Sequence, residues 1–246
     1  MTVIAKTALA LSAALTLSGC EKQSDEAFGE RVRAYLLANP EVLQEVSVAY
    51  QQKQQAELAK ASTAALAKHR AQLERDPRDF VANPGGRITV VEFFDYNCAY
   101  CKIAAPEVVK LIRDNPDVRF VFKEFAFQTE DSILAGHMVL TPVAKPKSLA
   151  LYGDLMAAKP LNQAAIDRIF LKHGVDPAVA RQQAADPAIQ KQLQDVRTLA
   201  QALRIDGTPA FVVGDEVIPG ADIEALKAAI TKAKGVGLTR PSGNPA

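Results

Sequence analysis

The sequence has little from which to build a metal centre: its 246 residues hold three cysteines, three histidines and no tryptophan. A structural zinc site takes about four ligands. His69, His137 and His173 are scattered without ligand spacing, and no second cysteine pair exists. Neither charge is in excess, with 29 Lys and Arg against 28 Asp and Glu. The N-terminal leader carries Lys6 and no acid, so its removal leaves 28 against 28. Phosphate binding needs a local cationic surplus, so this balance argues against nucleic acid as the main partner. A second long apolar run is also missing. The one present, Thr7 to Leu17, has about eleven residues, too short to cross a bilayer and right for a signal-peptide core. The rest, 48% hydrophobic and 23% charged overall, is ordinary globular composition.

The three cysteines sort into two features. Cys98 and Cys101 bound the quartet Cys98-Ala99-Tyr100-Cys101, directly after the apolar run Ile88-Thr89-Val90-Val91-Glu92-Phe93-Phe94. A CxxC that leaves a buried strand and opens a helix is a redox arrangement. Half of a zinc site and an inert structural disulfide are the competing readings, and the first lacks its other ligands. Cys20 ends the leader as Leu17-Ser18-Gly19-Cys20. An odd cysteine in an exported chain needs a reason, and small residues immediately before it suit a lipoprotein signal peptidase. Residues 1–20 are therefore expected to be a lipoprotein signal peptide with Cys20 lipidated, in preference to plain secretion. Export to the periplasm would place the CxxC where it can act on other proteins' thiols.

Residues 21–78 read as a helical arm. Phe28, Val32, Tyr35 and Leu36 repeat at helical spacing, Asn39-Pro40 interrupts, and Leu43, Val46 and Tyr50 share one face of a second helix. Beyond Tyr50 the chain turns to Gln and Ala out to Leu66 and Leu73. That stretch is a strong helix former by propensity, with little apolar face to bury. An arm without a core is marginal alone, so it must dock on the main domain or on copies of itself. Self-association through residues 21–75 is the expectation, and a solvated stalk is the alternative.

Asp76-Pro77 and Asn83-Pro84-Gly85-Gly86 mark the start of a larger domain, residues 79–234. Strands are expected over Arg87–Phe94 and Val118–Phe125, with the CxxC helix between them. Four or five helices fill an insertion over about residues 128–203, with starts at Asn162, Asp176 and Asp186. Strand returns at Ala210–Val213, a Gly214-Asp215 hairpin leads into Val217-Ile218, and Asp222 caps a last helix to about Lys234. Residues 235–246 read as a disordered tail.

The order β-α-β, helices, β-β-α is the thioredoxin plan with a helical domain inserted. The segment Glu92-Phe93-Phe94-Asp95-Tyr96-Asn97-Cys98-Ala99-Tyr100-Cys101 resembles the active-site strand and helix start of the DsbA-like disulfide oxidoreductases. Gly207-Thr208-Pro209-Ala210-Phe211-Val212 resembles their cis-proline loop, and the spacing between the two suits their insertion. The arm, through Arg31-Val32-Arg33-Ala34-Tyr35-Leu36 and Asn39-Pro40-Glu41-Val42, is similar to the extension of the ScsC-like branch. The resemblance covers about Phe28 to Lys234. It implies an α/β thioredoxin fold and exchange of dithiols with disulfides, with no cofactor and no metal. The partners it implies are cysteine-containing exported proteins and a membrane redox partner that resets the pair.

At a helix mouth Cys98 meets free N–H groups and the positive end of the dipole, whereas Cys101 lies one turn further in and is shielded. Cys98 should attack and Cys101 should resolve. A helix dipole contributes about 0.3–1 kcal/mol, perhaps ~2 when partly buried, enough for a shift of about one pKa unit. Anything larger requires local hydrogen bonds to the Cys98 sulfur. Ala99-Tyr100 offers no imidazolium, unlike the Pro-His pair of the best-known DsbA oxidases, which predicts a weaker oxidant. Glu92 stands mid-strand, six residues before Cys98. A lone buried carboxylate must raise its pKa or find a cation, and Lys123 on the second strand is the candidate. The resemblance implies that Glu92 moves a proton for the resolving thiol; a purely structural buried pair is the alternative. Thr208-Pro209 is expected to be a cis bond that presents backbone to an extended substrate. Thr at this place resembles isomerase and ScsC-like members, where oxidases more often carry Val. Pro106, inside the CxxC helix, reads as architecture. The reading is a thiol–disulfide oxidoreductase leaning to isomerase or reductase. A DsbA-type dithiol oxidase and a non-enzymatic thiolate site for copper are the alternatives.

Overall fold

The computed structural model describes residues 20–238. The expected signal peptide, the side chain of Cys20 with its lipid, and most of the expected tail lie outside the described residues. The chain forms two compact units, one ending at Ala59 and one starting at Lys60.

In the first unit, helix α1 (Cys20–Ala38) is followed at Asn39-Pro40 by α2 (Glu41–Glu74), which continues into the second unit. The break is where the sequence places it. Asn39 closes α1 by donating its side-chain N–H to the Tyr35 carbonyl at 2.9 Å, and Pro suits the opening of α2 because no helical acceptor waits for its missing N–H. Phe28, Val32, Tyr35, Leu43, Val46 and Tyr50 are all exposed within this unit.

The second unit is built on β1 (Phe80–Ala82), β2 (Ile88–Phe94), β3 (Val118–Glu124), β4 (Ala210–Val213) and β5 (Glu216–Pro219), in the sheet order β1-β3-β2-β4-β5. β2 and β3 pair in parallel, and the other pairs are antiparallel. α3 (Ala99–Asp114) connects β2 to β3. Five helices separate β3 from β4: α4 (Glu130–Val139), α5 (Ser148–Ala157), α6 (Gln163–Lys172), α7 (Pro177–Ala184) and α8 (Pro187–Ala202). α9 (Ile223–Leu238) ends the unit. This is the thioredoxin plan with a helical insertion. Three insertion helices start as expected. Asn162, Asp176 and Asp186 accept the N–H groups of Ala165, Ala178 and Ala188 at 2.9, 2.8 and 2.8 Å. Gly174, at φ +73, closes α6 in a conformation that glycine adopts without a Cβ clash. β1 escapes the sequence reading because only three residues pair, on the outer edge of β3.

Alternation along the strands divides the core into two layers. Val90 and Phe94 of β2, with Phe120 and Phe122 of β3, face α3, α5 and α9. Val91, Phe93 and Val121 face Leu66 and Leu73 of α2 and Val196, Leu199 and Leu203 around α8. The end of α2 is thus part of the second unit, which begins at Lys60, earlier than the boundary near residue 79 read from the sequence. The expected want of an apolar face is made up by two leucines, Leu66 and Leu73, both fully buried. Polar contacts secure the same stretch. Lys123 and Arg119, both from β3, donate to the carbonyls of Gln72 and Glu74 at 2.6 Å each. These are carbonyls of the last helical turn, which have no partner within the helix.

Candidate active site

β2 runs the chain into a turn that sets Cys98 as the N-cap of α3, with φ −69 and ψ 122. The Cys98 sulfur accepts the Cys101 N–H at 3.4 Å, and its thiol donates to the Thr208 carbonyl at 3.1 Å. The Thr208–Pro209 peptide is cis, as the position suggested; Lys159–Pro160, which the sequence reading did not single out, is cis as well. CxxC and Thr-Pro, about a hundred residues apart in sequence, therefore form one site. Cys98 and Cys101 are both free, with no disulfide between them.

Exposure separates the two sulfurs less than expected, since Cys98 is 4% exposed and Cys101 not at all. Electrostatics separates them far more. The Cys101 side-chain hydrogen bond holds the Cys98 thiol at about 5 against the cost of burial, with the Thr208 side chain and the N–H groups of Cys101 and Tyr100 adding to it. This is the local hydrogen bonding that a dipole alone could not replace. Burial, together with the same thiol–thiolate bond seen from its other end, pushes the Cys101 thiol well above the ordinary range.

Glu92 is buried, but its partner is not Lys123. The Tyr152 hydroxyl, from α5, donates to both Glu92 oxygens at 3.0 and 3.1 Å. Strand parity explains the correction. Glu92 lies opposite Phe122 and faces the α3–α5 layer, whereas Lys123 lies opposite Phe93 and faces α2. There Lys123 pairs with Asp79, each side chain 1% exposed. Burial raises the Glu92 carboxyl to about 8, with the Tyr152 bond opposing. Asp79 is likewise raised by burial to about 6, and Lys123 pulls the other way.

Three further buried groups are new. Asp95, between β2 and the CxxC, accepts the N–H groups of Asn97, Phe127 and Gln128 and the Ser132 hydroxyl at 2.7–3.0 Å. It ties the CxxC turn to the start of the insertion. Tyr96 donates to Glu124 of β3 at 2.9 Å, and burial raises that carboxyl. The one sequence signal for these groups was local: an acid and a tyrosine directly before the CxxC. Their partners, 28 to 37 residues further on, were not readable. Among the described residues no three His, Cys, Asp or Glu side chains stand together as a metal-ligand group. Tyr100 and Ile103 leave an exposed apolar surface on the first turns of α3.

Residues 26–57 match the family described as "Copper resistance protein ScsC N-terminal domain", and residues 79–232 match the family described as "Thioredoxin". The catalytic domain of Proteus mirabilis ScsC is 31% identical with a TM-score of 0.63, over 70% of this chain and 97% of that one. The thiol:disulfide interchange protein DsbA of Bordetella pertussis is 30% identical over 137 residues, 52% of this chain and 64% of that protein. The Na(+)/H(+) antiporter NhaA 3 of Salinispora tropica is 30% identical over 175 residues, 68% of this chain, and the chain spans only 27% of its length. With a thioredoxin family matching more than half of its length, and an extension matching a second family, the chain belongs to the DsbA-like thioredoxin-fold oxidoreductases, in their ScsC-like branch.

Proposed function

We propose that the protein exchanges dithiols and disulfides with cysteine-containing exported proteins, working as an isomerase or reductase. The observation that carries the exchange chemistry is the asymmetry of the pair: Cys98 is held at about 5 while Cys101 is held up as a thiol. The lean to isomerase or reductase rests on Ala99-Tyr100 between the cysteines and on Thr208 before the cis-proline. At neutral pH Cys98 is a thiolate ready to attack a substrate disulfide. One substrate sulfur bonds to Cys98, and the other leaves with the electron pair. In isomerisation the released thiolate attacks a second disulfide of the substrate, and the thiolate this displaces attacks the substrate sulfur bonded to Cys98, so that Cys98 leaves with the electron pair. In reduction Cys101 gives its proton to Glu92 in its ionised form, which is populated as pH rises through about 8, and attacks the Cys98 sulfur. The substrate then leaves reduced, and a membrane redox partner returns the electrons. Thr208 and Pro209, within reach of Cys98, would pair with an extended substrate segment as a short added strand. The exposed Tyr100 and Ile103 supply an apolar rim for such a segment.

Similarity to ScsC and DsbA supports export to the periplasm; the lipid anchor at Cys20 rests on the leader ending Leu17-Ser18-Gly19-Cys20. Association through residues 21–75 would set several sites around one client and raise the effective concentration for repeated exchange. The exposed apolar residues of the first unit support this. The copper named in the family matched by residues 26–57 finds no thiol or imidazole there. A copper role would fall to the CxxC alone.

Iodoacetamide at pH 6 tests the roles of the two sulfurs. About nine-tenths of Cys98 is thiolate there, against well under a hundredth of an ordinary thiol, so Cys98 should be labelled first by a wide margin. Preferential labelling of Cys101 would reverse the assignment. Cys101→Ser should trap mixed disulfides with exported proteins, and a trap that recovers none removes the protein substrate. Repair of scrambled disulfides, compared with oxidation of reduced ones, decides between isomerase and oxidase.

A further inference from the structure

Among the described residues Glu92 has one hydrogen-bond donor, and it comes from the helical insertion. The Tyr152 hydroxyl spans both carboxyl oxygens. Its ring is fully buried and held edge-on against Phe94 and Phe122, with centroids 5.2 and 4.9 Å away. The helix that carries it is clipped to the CxxC helix one residue beyond Cys101. Lys102 Nζ donates to the carbonyls of Met156 and Ala158 at 3.4 and 2.6 Å, at the end of α5. The charges of both Glu92 and Cys101 bear on the Tyr152 hydroxyl. The titratable groups around Glu92 are therefore Tyr152 from α5, Cys101 from α3, Asp95 and Tyr96 from the turn, and Glu124 from β3. None of these groups is a cation: Lys123 of β3 faces the opposite layer, and Lys102 of α3, whose charge bears on Cys101 and Asp95, gives its Nζ to the carbonyls of α5.

We propose that Tyr152 is a positioning residue for disulfide exchange: it orients the Glu92 carboxyl and sets the pH at which that carboxyl takes the proton of Cys101. This rests on the reading of Glu92 as the proton acceptor. In the resolving step the Cys101 S–H bond breaks and its proton passes to the Glu92 carboxylate. The Cys101 thiolate bonds to the Cys98 sulfur, the bond from Cys98 to the substrate breaks, and the electron pair leaves on the substrate thiolate. A donor across both oxygens favours the charged carboxylate. Without it the acid sits in an apolar layer with no donor, and its affinity for the proton rises. The insertion thereby contributes a side chain that acts on a residue of the central strand.

The two steps separate in stopped-flow reaction of the reduced full chain with 5,5′-dithiobis(2-nitrobenzoate). The first thiolate released reports attack by Cys98, and the second reports resolution by Cys101. Tyr152→Phe keeps the ring and removes one oxygen. The first phase should keep its rate and pH midpoint. The midpoint of the second should move up by about one to two pH units, slowing resolution about ten- to a hundredfold at neutral pH. In the same protein 3-fluorotyrosine at position 152, a stronger donor, should move the midpoint down, which a packing role cannot produce. Glu92→Gln should abolish the midpoint. If Glu92→Gln keeps the wild-type profile, Glu92 is not the acceptor and the underlying reading fails. If Glu92→Gln loses the midpoint while the changes at Tyr152 leave it in place, the proposal fails and Glu92 stands. A Tyr152→Phe chain that also loses the first phase has lost its fold, and the fluorotyrosine shift then decides alone, its absence overturning the proposal.

Discussion

The two halves of α2 reverse what their sequences promise. The first half carries Leu43, Val46 and Tyr50 on one helical face, and these are 58%, 60% and 62% exposed. The second half is Gln- and Ala-rich, yet Leu66 and Leu73 are fully buried there. An apolar stripe measures what a helix could bury; burial itself depends on what the rest of the chain brings to it. The second half meets a sheet face lined by Val91, Phe93 and Val121. It also meets two cations placed for its last carbonyls, where a favourable charge adds to the hydrogen bond. Those cations stand 45 and 51 residues further along the chain. Arg70 adds a bond to the Gly214 carbonyl at 2.6 Å and an ion pair with Asp215, across 144 and 145 residues. The first half meets no such partner within its own unit, and its exposed face is what an association surface requires.

The sharpest way to break this contrast is to cut the chain on either side of the docked half. A chain begun at Lys60 retains Leu66, Leu73 and the carbonyls of Gln72 and Glu74. A chain begun at Asp79 loses all of them. Burying two leucines contributes about 1.5–3 kcal/mol each, against a whole-domain stability of about 5–15 kcal/mol. The Asp79 chain should be unfolded or aggregated, while the Lys60 chain should show a cooperative urea transition and full-rate alkylation of Cys98. Equal urea midpoints for the two would mean that the docked half contributes nothing.

A smaller change attacks the polar half of the docking. Lys123→Met leaves Asp79 buried without its cation, which costs about 3–5 kcal/mol, while Lys123→Met with Asp79→Leu should recover most of the loss. The pH dependence follows from Asp79, which burial raises from the usual 3.8 to about 6. The folded state holds this proton more tightly than the unfolded one. The group's contribution is therefore fully present below about pH 3.8 and lost as pH rises through 6. Asp79→Asn should flatten the fall of the urea midpoint over that window. A wild-type midpoint that rises there would show that the ion pair dominates over burial.

What could be read in advance was local in sequence. Cys98, Cys101, Glu92 and Pro209 announce themselves by neighbours within a few residues, and Asn162, Asp176 and Asp186 cap their helices through N–H groups two or three residues on. Pairing Glu92 with Lys123 failed for a reason one step less local. Both are mid-strand in parallel neighbours, but register assigns them to opposite faces of the sheet. Had the register been known, alternation alone would have excluded the pair. Tyr152 is a harder case, because it reaches Glu92 across 60 residues from a helix whose docking depends on the whole layer. Asp95 receives four donors, three of them from residues 127–132 after β3, and no pattern within its own segment foretells that.

The mildest perturbation compares two leucines of the same helix. Leu73→Ala should cost about 2–5 kcal/mol, the range for a buried leucine whose surroundings cannot fully collapse. Leu43→Ala removes an exposed side chain and should change domain unfolding by no more than about 0.5 kcal/mol. Its effect should appear instead in the concentration dependence of light scattering. If copies associate through this face, every copy loses the same contact, and the loss is repeated at each equivalent place in a closed assembly. Leu43→Ala together with Val46→Ala should therefore dissociate the unlipidated chain at concentrations where the wild type remains assembled. Its rate with a small dithiol should stay unchanged, because Cys98 and Thr208 lie in the other unit. Repair of scrambled disulfides should fall with the assembly. A wild-type chain that scatters as a monomer at every concentration would leave the first half of α2 as a spacer, and with it would go the structural support for an isomerase.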